Sequence, residues 1–206
     1  MNIINDMIKR YPSLQSCKED IEKAAKIVIQ MAFSNGKLLL CGNGGSAADC
    51  AHISGELLKG FLQKRPLREK ELSELAPEIR SGLQRGISAI PLPAFDAAFT
   101  AFSNDVDAVL VYAQLTFALG KEHDVFLGIS TSGNAKNVCA AAETAKAMGL
   151  KTIALCGRKG GRLAELCDCA IRVPETETYK IQELHLPVYH ALCAQCEAVC
   201  FGGEAL

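Results

Sequence analysis

Two side chains that could carry out acid–base chemistry stand four residues apart in the first third of the chain. His52 and Glu56 belong to a predicted helix, and their spacing places both on one face within ~6 Å of each other. Such a pair can move protons or bind a metal ion, but it is also common as a surface salt bridge. His123 precedes a predicted strand and is expected at the surface. The spacing alone leaves both interpretations open.

Two turns that each follow an apolar run are suited to binding an anion. Residues 42–46 (GNGGS) follow KLLLC, and residues 130–134 (STSGN) follow DVFLGI. Glycines let the main chain approach a ligand, and the start of a following helix offers free N–H groups. The second turn adds three hydroxyl groups, so the two turns together predict a phosphate site. The first turn has neither the Gly-Lys-Ser/Thr ending of a P-loop nor the glycine spacing of a dinucleotide fingerprint.

The elements that must position these residues alternate between strands and helices. This alternation predicts one doubly wound α/β domain over residues 1–206, with a five-stranded parallel sheet covered on both faces and ligands bound beyond the carboxyl ends of the strands. Strands are predicted at 37–41, 87–91, 124–129, 151–155 and 170–173. Helices are predicted at 13–35, 47–59, 95–103, 107–119, 135–148 and 180–201, with a further short helix that follows the Gly160-Gly161 turn and ends at about residue 166.

Two local features are predicted in the first half of the chain. Ser16 and Glu19 have the spacing of a capping box, with Gly36 as the stop of the same helix. Residues 63–85 carry ten charged side chains, and their leucine and isoleucine residues keep helical spacing. This second pattern predicts an inserted, exposed amphipathic helix.

The composition excludes several classes of protein. The 206 residues are 49% hydrophobic with a net charge of −1, which argues against a binder of nucleic acid that relies on a strongly basic face. No apolar run reaches the ~18–20 residues of a membrane helix, and the first residues lack a signal-peptide pattern, so a cytoplasmic location without membrane partners is expected. Ten cysteines are too few for a disulfide scaffold, and most are expected to be apolar filler in a reducing compartment. A metal or redox role for the Cys167/Cys169 or Cys193/Cys196 pair is the alternative.

Four stretches resemble the sugar isomerase (SIS) family. They are CGNGGSAADCAHISGEL at 41–57, ISTSGNAKNV at 129–138, GRKGGRLAELCD at 157–168 and IRVPETETYKIQELHLPVYH at 171–190. The chain is more closely similar to the phosphoheptose isomerase family, which interconverts sedoheptulose 7-phosphate and D-glycero-D-manno-heptose 7-phosphate. The resemblance covers roughly residues 16–60 and 87–200, with the blocks in the family's order.

The resemblance implies a zinc-dependent aldose–ketose isomerase that works through an enediol. Such a reaction needs a base at carbon, an acid at oxygen and a group that stabilises the developing oxyanion. By their match to the family's motifs, Glu56 is the expected base and His190 the expected acid, and one zinc ion per chain is expected on His52, Glu56, Gln182 and His190. His185 matches no metal ligand of the family, so it is expected either to contact the ligands from behind or to pack in the core.

The same resemblance assigns residues to the substrate. The FSND segment that contains Asn104 and Asp105 has a plain alternative interpretation as a helix cap. The expected substrate contacts are Asn43, Gly44, Gly45, Glu56, Asn104, Asp105 and Gln182 for the sugar, and Ser130, Thr131 and Ser132 for the phosphate.

Three departures from the family's pattern leave the exact sugar open. Ala135 stands where a further serine is usual, Lys180 replaces an arginine, and residues 63–85 have no counterpart in the short form of the enzyme. Two alternatives therefore remain: an isomerase or lyase of another phosphosugar, and a non-catalytic SIS regulator or adaptor that binds a sugar phosphate. The presence of both Glu56 and His190 favours an enzyme.

The spacing of the last two proposed ligands bears on assembly. In a continuous helix, Gln182 and His190 lie ~12 Å apart along the axis and point ~80° apart, so they are not expected to bind one ion at ~2 Å each. Either the helix begins after Gln182, or the two ligands reach the metal from different chains. The resemblance implies a homotetramer. The sequence therefore predicts active sites at subunit boundaries, with Glu56 and His190 contributed by different chains.

Overall fold

The sheet is parallel, five-stranded and buried between two layers of helices. The structure is a computed structural model that describes residues 3–68 and 70–202. Its strands are β1 Leu38–Gly42, β2 Ala89–Pro91, β3 Val125–Ser130, β4 Lys151–Cys156 and β5 Cys169–Arg172, in the order β2-β1-β3-β4-β5. This is one of the common doubly wound orders. All strands run parallel, but successive strands are added toward one edge of the sheet from β1 to β2 and toward the other edge from β3 onward. The expectation of a doubly wound α/β fold is confirmed.

The strands are apolar throughout because both faces of the sheet are covered. In β1, Leu38 and Leu40 join the core on one face, and Leu39 and Cys41 join the core on the other. The helices are α1 Ile3–Arg10, α2 Lys18–Phe33, α3 Gly45–Leu58, α4 Pro77–Gly82, α5 Asp96–Phe102, α6 Val111–Leu119, α7 Lys136–Ala147, α8 Gly161–Leu166 and α9 Thr178–Phe201. Helices α1, α2, α3 and α9 cover the first face, and α6, α7 and α8 cover the second.

The start of the predicted helix 13–35 differs from expectation, and the capping box is wrong. Residues Pro12–Cys17 form a 3₁₀ turn, and α2 begins only at Lys18. Ser16 lies inside that turn, where its hydroxyl donates to the Ser13 carbonyl at 3.3 Å instead of capping α2. At the other end, Asn35 takes the left-handed conformation with φ +56°. Gly36 serves a different purpose, because a Cβ there would lie 2.3 Å from the His123 carbonyl oxygen.

The predicted helix over residues 63–85 is also wrong. Only Pro77–Gly82 is helical there, and the rest forms turns joined by a single bridge between Pro66 and Gln84; residue 69 lies outside the described residues. Leu72 has φ +53°, which a helix does not allow, and it is 55% exposed. Ile79 and Leu83 are exposed as well. The apolar spacing had no surface to pack against, so it did not produce a helix.

The ten cysteines are all free thiols, and eight of them are buried. Burial raises the pKa of Cys193 to about 12, and it raises the pKa of Cys196 further. Thiols in such surroundings are poor metal ligands and poor nucleophiles. The interpretation of the cysteines as apolar filler is therefore preferred over a metal or redox pair. No helix in the described part of the chain is long and apolar enough to cross a membrane.

Candidate active site

The two predicted anion-binding turns lie side by side at the carboxyl edge of the sheet. Gly42 at the end of β1 pairs with Ile129, and Ser130 at the end of β3 pairs with Cys156. The turns therefore flank the point between β1 and β3 where doubly wound folds bind their ligands. The side-chain amides of Asn43 and Asn137 exchange two hydrogen bonds of 2.9 Å, which join the first turn to the start of α7.

The second turn places its three hydroxyl groups at the carboxyl end of β3. Ser130 is buried, Thr131 is half-buried and Ser132 is exposed. The Ser132 hydroxyl accepts a hydrogen bond from the Asn134 main chain at 3.1 Å, which fixes the turn ahead of α7. α7 begins at Lys136, just after Ala135, so main-chain N–H groups of its first turn are available to an anion.

The proposed acid–base residues come together within one chain. On α3, His52 Nε2 lies 3.2 Å from Glu56 Oε1, as the four-residue spacing predicts. On α9, His190 Nε2 lies 3.3 Å from the same His52 nitrogen. Glu56 and His190 are thus both neighbours of His52, and a second chain is not needed to bring them together. The expectation that they come from different chains does not match this arrangement.

The environment of His190 affects its protonation. Burial lowers the pKa of His190, the neighbouring His52 lowers it further, and Glu56 opposes both effects. A histidine with a lowered pKa is neutral near pH 7, so His190 can donate a hydrogen bond to an oxygen from its neutral N–H.

Gln182 lies at a different part of the site. α9 is continuous from Thr178, so Gln182 and His190 are separated by two helical turns. The Gln182 side chain packs on Gly45, where a Cβ would lie 2.5 Å from its Nε2 atom. Gly45 precedes His52 by seven residues on α3, or ~10 Å of helix. Gln182 therefore lies beside the glycine turn, near the substrate contacts expected there.

Asn104 and Asp105 lie in a π-helical turn, Ser103–Asp107, between α5 and α6. The Asn104 amide donates to Asp105 Oδ1 at 2.9 Å, and both residues are exposed. Neither caps α6, so the plain interpretation as a helix cap is not what the structure shows.

Three neighbours of the site were not found from the sequence. Tyr189 contacts both His52 and Asp49 through its hydroxyl, at 3.0 Å from His52 Nδ1 and 3.3 Å from Asp49 Oδ1. Lys59 Nζ lies 3.2 Å from Glu56 Oε2. The position of Tyr189 directly before His190, and of Asp49 and Lys59 three residues from His52 and Glu56, was the available signal.

A buried ion pair lies behind Glu56. Arg65 and Glu197 are almost fully buried, and Arg65 Nε lies 2.7 Å from Glu197 Oε1. The guanidinium also donates to the carbonyl oxygens of Leu57 at 2.7 Å and Glu56 at 3.3 Å, at the carboxyl end of α3. A cation at that end is favourable for a helix. The pair therefore ties the helix that carries Glu56 to the helix that carries His190.

His185 belongs to the packing. It is fully buried on α9, and neither ring nitrogen has a hydrogen-bond partner of normal geometry among the described residues. Burial, only partly offset by the Cys156 main chain, lowers the pKa of His185 to about 4.

This buried histidine should make the stability of the protein depend on pH. Its folded-state pKa of about 4 lies below the ~6.5 of an unfolded histidine, so only the unfolded chain gains a proton between these values. The contribution is complete above pH ~6.5, and about 3 kcal/mol should be lost as the pH falls to ~4. Urea unfolding across this range should show a flatter profile for His185→Leu than for the native chain. His123→Leu, at an exposed position, should keep the native profile; equal slopes for all three proteins would exclude His185 as the cause.

The distances between the donor atoms of His52, Glu56 and His190 resemble those between the ligands of a zinc ion. Tetrahedral ligands at ~2.0–2.1 Å from zinc lie ~3.3 Å from one another, and the His52–Glu56 and His52–His190 donor distances of 3.2 and 3.3 Å are close to this value. Within residues 3–68 and 70–202, however, no three His, Cys, Asp or Glu side chains already surround a common point as a metal requires. The donors have suitable chemistry and spacing, and side-chain adjustment would be needed to close them around an ion.

Comparison with known proteins decides the family. Models of the SIS domain match residues 4–85 and 107–200. The chain is 40% identical to a phosphoheptose isomerase of Helicobacter pylori (strain P12), over 88% of this chain and 84% of the relative, and 38% identical to one of Halorhodospira halophila, over 98% and 94%. The chain belongs to the phosphoheptose isomerase family of SIS-domain proteins. It is therefore an enzyme of the isomerase class.

Solved structures of the family share the fold. A phosphoheptose isomerase of Neisseria gonorrhoeae superposes with a TM-score of 0.76 at 31% identity, covering 94% of each chain. One from Francisella tularensis gives 0.77 at 30% identity, covering 93% of each chain. The SIS fold and the resemblance predicted from the sequence are both confirmed.

Proposed function

We propose that this phosphosugar isomerase interconverts sedoheptulose 7-phosphate and D-glycero-D-manno-heptose 7-phosphate. The observation that carries the proposal is the His52, Glu56 and His190 cluster, in which each donor lies within 3.3 Å of His52 Nε2. His52 and Glu56 lie on the helix that follows the first anion-binding turn, and His190 reaches them from α9. Acid–base groups beside a phosphate site are what an aldose–ketose isomerase of a sugar phosphate needs.

Glu56 and His190 divide the proton transfers between them. Glu56 accepts a proton from the carbon next to the carbonyl group and returns it to the neighbouring carbon, so the enediol forms and collapses. His190 donates a proton to the carbonyl oxygen as the enediol forms, and it takes back the proton of the neighbouring hydroxyl as that oxygen becomes the new carbonyl. Its lowered pKa keeps a neutral N–H available for this transfer. The Lys59 ammonium, 3.2 Å from Glu56 Oε2, holds the carboxylate in place between the two steps.

The remaining residues bind the substrate. The hydroxyls of Ser130, Thr131 and Ser132 and the start of α7 suit the phosphate, and the turn at Asn43 and Gly45 suits the sugar. Gln182, packed on Gly45, offers its amide to sugar hydroxyls. By the match to the family's motif, we propose the same role for Asn104 and Asp105, which lie in the exposed turn between α5 and α6.

We further propose that the site binds one zinc ion per chain. His52, Glu56 and His190 would hold it, with Gln182 as a fourth donor only if α9 of another chain or a rearrangement brings it near. Zinc supplies a positive charge that polarises the substrate oxygens. The donor spacings near ~3.3 Å support this proposal.

Assembly into a homo-oligomer, and specifically a tetramer, also remains a proposal. α9 exposes two large apolar side chains, Leu186 at 40% and Val199 at 45%. Such apolar side chains are available for burial between subunits. Light scattering on the purified protein measures the subunit number directly.

One experiment tests both the activity and the metal. The purified protein is incubated with ketose phosphates of five, six and seven carbons and an N-acetylated hexose phosphate, before and after chelation, and proton exchange at C1 is followed in D2O. We expect turnover of the seven-carbon substrate, loss of turnover after chelation with the fold intact, and recovery with zinc. Turnover of another sugar alone would reassign the substrate. Full activity in metal-free protein would reject the zinc, and binding without exchange for every sugar would reject the isomerase.

A further inference from the structure

Tyr189 links the proposed site to a carboxylate behind it. Its ring is 2% exposed and lies edge-on to His52, with ring centres 5.4 Å apart. Its hydroxyl oxygen lies 3.0 Å from His52 Nδ1 and 3.3 Å from Asp49 Oδ1. His52 is thus held on both sides: Tyr189 contacts Nδ1, while Glu56 and His190 contact Nε2.

The number of protons decides the direction of these hydrogen bonds. A tyrosine hydroxyl has one proton, so it donates to one neighbour and accepts from the other. An ionised Asp49 can only accept, and its second oxygen, Oδ2, is buried without a partner among the described residues. If Tyr189 donated to His52 instead, this carboxylate would face an oxygen lone pair and lose a hydrogen bond to a charged group, a type that is stronger than one between neutral groups.

Glu56 does not compete strongly for the same proton. A carboxylate 3.2 Å from His52 Nε2 would favour a proton on that nitrogen. However, the Oε2 atom of Glu56 already has the Lys59 ammonium as a partner, at 3.2 Å. Asp49 has more to lose than Glu56, because its Oδ2 atom is buried without a partner among the described residues and its Oδ1 atom contacts the Tyr189 hydroxyl. The Asp49–Tyr189 side should therefore determine the tautomer.

We propose that Asp49 and Tyr189 are positioning residues that keep the His52 proton on Nδ1, so that the Nε2 lone pair faces Glu56 and His190. The Nε2 lone pair then faces the Glu56 carboxylate at 3.2 Å, and the two repel each other unless a cation lies between them. This relay of Asp49, Tyr189 and His52 would therefore prepare the site for a divalent metal, as carboxylates hydrogen-bonded to ligating histidines do in general. This inference deepens the proposed function and rests on its assignment of His52 to the site.

The test measures the tautomer without using activity. The chain has four histidines, so 15N-labelled imidazole signals can be assigned by substituting each in turn. In metal-free protein at about pH 8, above the usual histidine pKa of ~6.5, His52 should carry its proton on Nδ1. Tyr189→Phe keeps the ring but removes the oxygen, so the proton should move to Nε2, where Glu56 accepts it. Asp49→Asn should produce the same shift, because the amide can donate to Tyr189 and free its proton for Nδ1.

Zinc affinity gives the second readout, by titration of zinc alone. Both variants should bind zinc roughly 10–100-fold more weakly than the native chain. Tyr112→Phe is the matched control, because it removes another buried hydroxyl, which donates to the Gly42 carbonyl at 2.9 Å, and it should leave the His52 signals unchanged. A native His52 protonated on Nε2, or variants with native tautomer and affinity, would overturn the proposal. If the protein isomerises none of the sugars but shows the expected tautomer shifts, the proposed function fails and the relay stands.

Discussion

Glu56→Gln should lower the turnover number by roughly 10²–10⁴-fold while leaving the affinity for the sugar phosphate nearly unchanged. Glutamine has almost the same shape as glutamate, but its amide cannot accept a proton from carbon. The turn at residues 130–134, the proposed phosphate site, lies on another element, and glutamine keeps an oxygen for a contact with the sugar, so ground-state binding should change little. The loss should therefore appear in kcat rather than in KM.

The measurement combines steady-state kinetics with calorimetric binding of the substrate. Glu122→Gln is the control, because it makes the same chemical change at an exposed residue near the opposite edge of the sheet, 89% exposed in its side chain. His190→Gln should lower turnover by a similar factor. A Glu56→Gln protein with near-native kcat would show that another group removes the proton.

Arg65→Met should destabilise the protein by about 3–5 kcal/mol, the usual effect of breaking a buried ion pair from one side. The change leaves the Glu197 carboxylate buried with no cation beside it. It also removes the donors to the Leu57 and Glu56 carbonyl oxygens at the end of α3. Methionine fills much of the same volume, so the loss of charge pairing should dominate over the loss of packing.

Urea unfolding at neutral pH measures this effect. In Arg65→Met/Glu197→Gln the buried charge is gone and the amide oxygen can still accept from the main chain of Phe61 or Leu62, so part of the stability should return. Arg162→Met, which breaks an exposed pair with Glu143, should leave the midpoint almost unchanged. Equal midpoints for Arg65→Met and Arg162→Met would mean that the buried pair contributes little.

The sheet and most helices could be predicted because local pattern and tertiary environment agree. KLLLC and DVFLGI are continuous apolar runs, and only a strand buried on both faces uses all of their side chains. The contact between His52 and Glu56 followed from helical spacing alone. The contact between His190 and His52 could not be predicted in this way, because it depends on how α9 packs across α3.

The prediction of a helix over residues 63–85 failed because helical spacing of apolar residues produces a helix only where the rest of the protein covers its apolar face. Here Leu72, Ile79 and Leu83 are exposed. Arg65 was treated there as one of many exposed charges, yet it is fully buried. Its partner Glu197 is 132 residues away, so no local signal could identify the pair. The same is true of Tyr189 and Asp49, which are 140 residues apart in sequence. Long-range polar contacts of this kind became visible only with the fold.

The Arg65–Glu197 pair also has a consequence for the order in which the molecule folds. Contacts between residues so distant in sequence require closure of a long loop, and they form slowly compared with local helices and turns. Helix α3 and its contact with the nearby Arg65 guanidinium can form early, but Glu197 reaches that guanidinium only when α9 docks. Partly folded forms could thus contain the sheet and even the phosphate turn and still be inert. Docking of α9 brings His190 to His52 as well as Glu197 to Arg65, so both contacts would be completed in the same late step of folding.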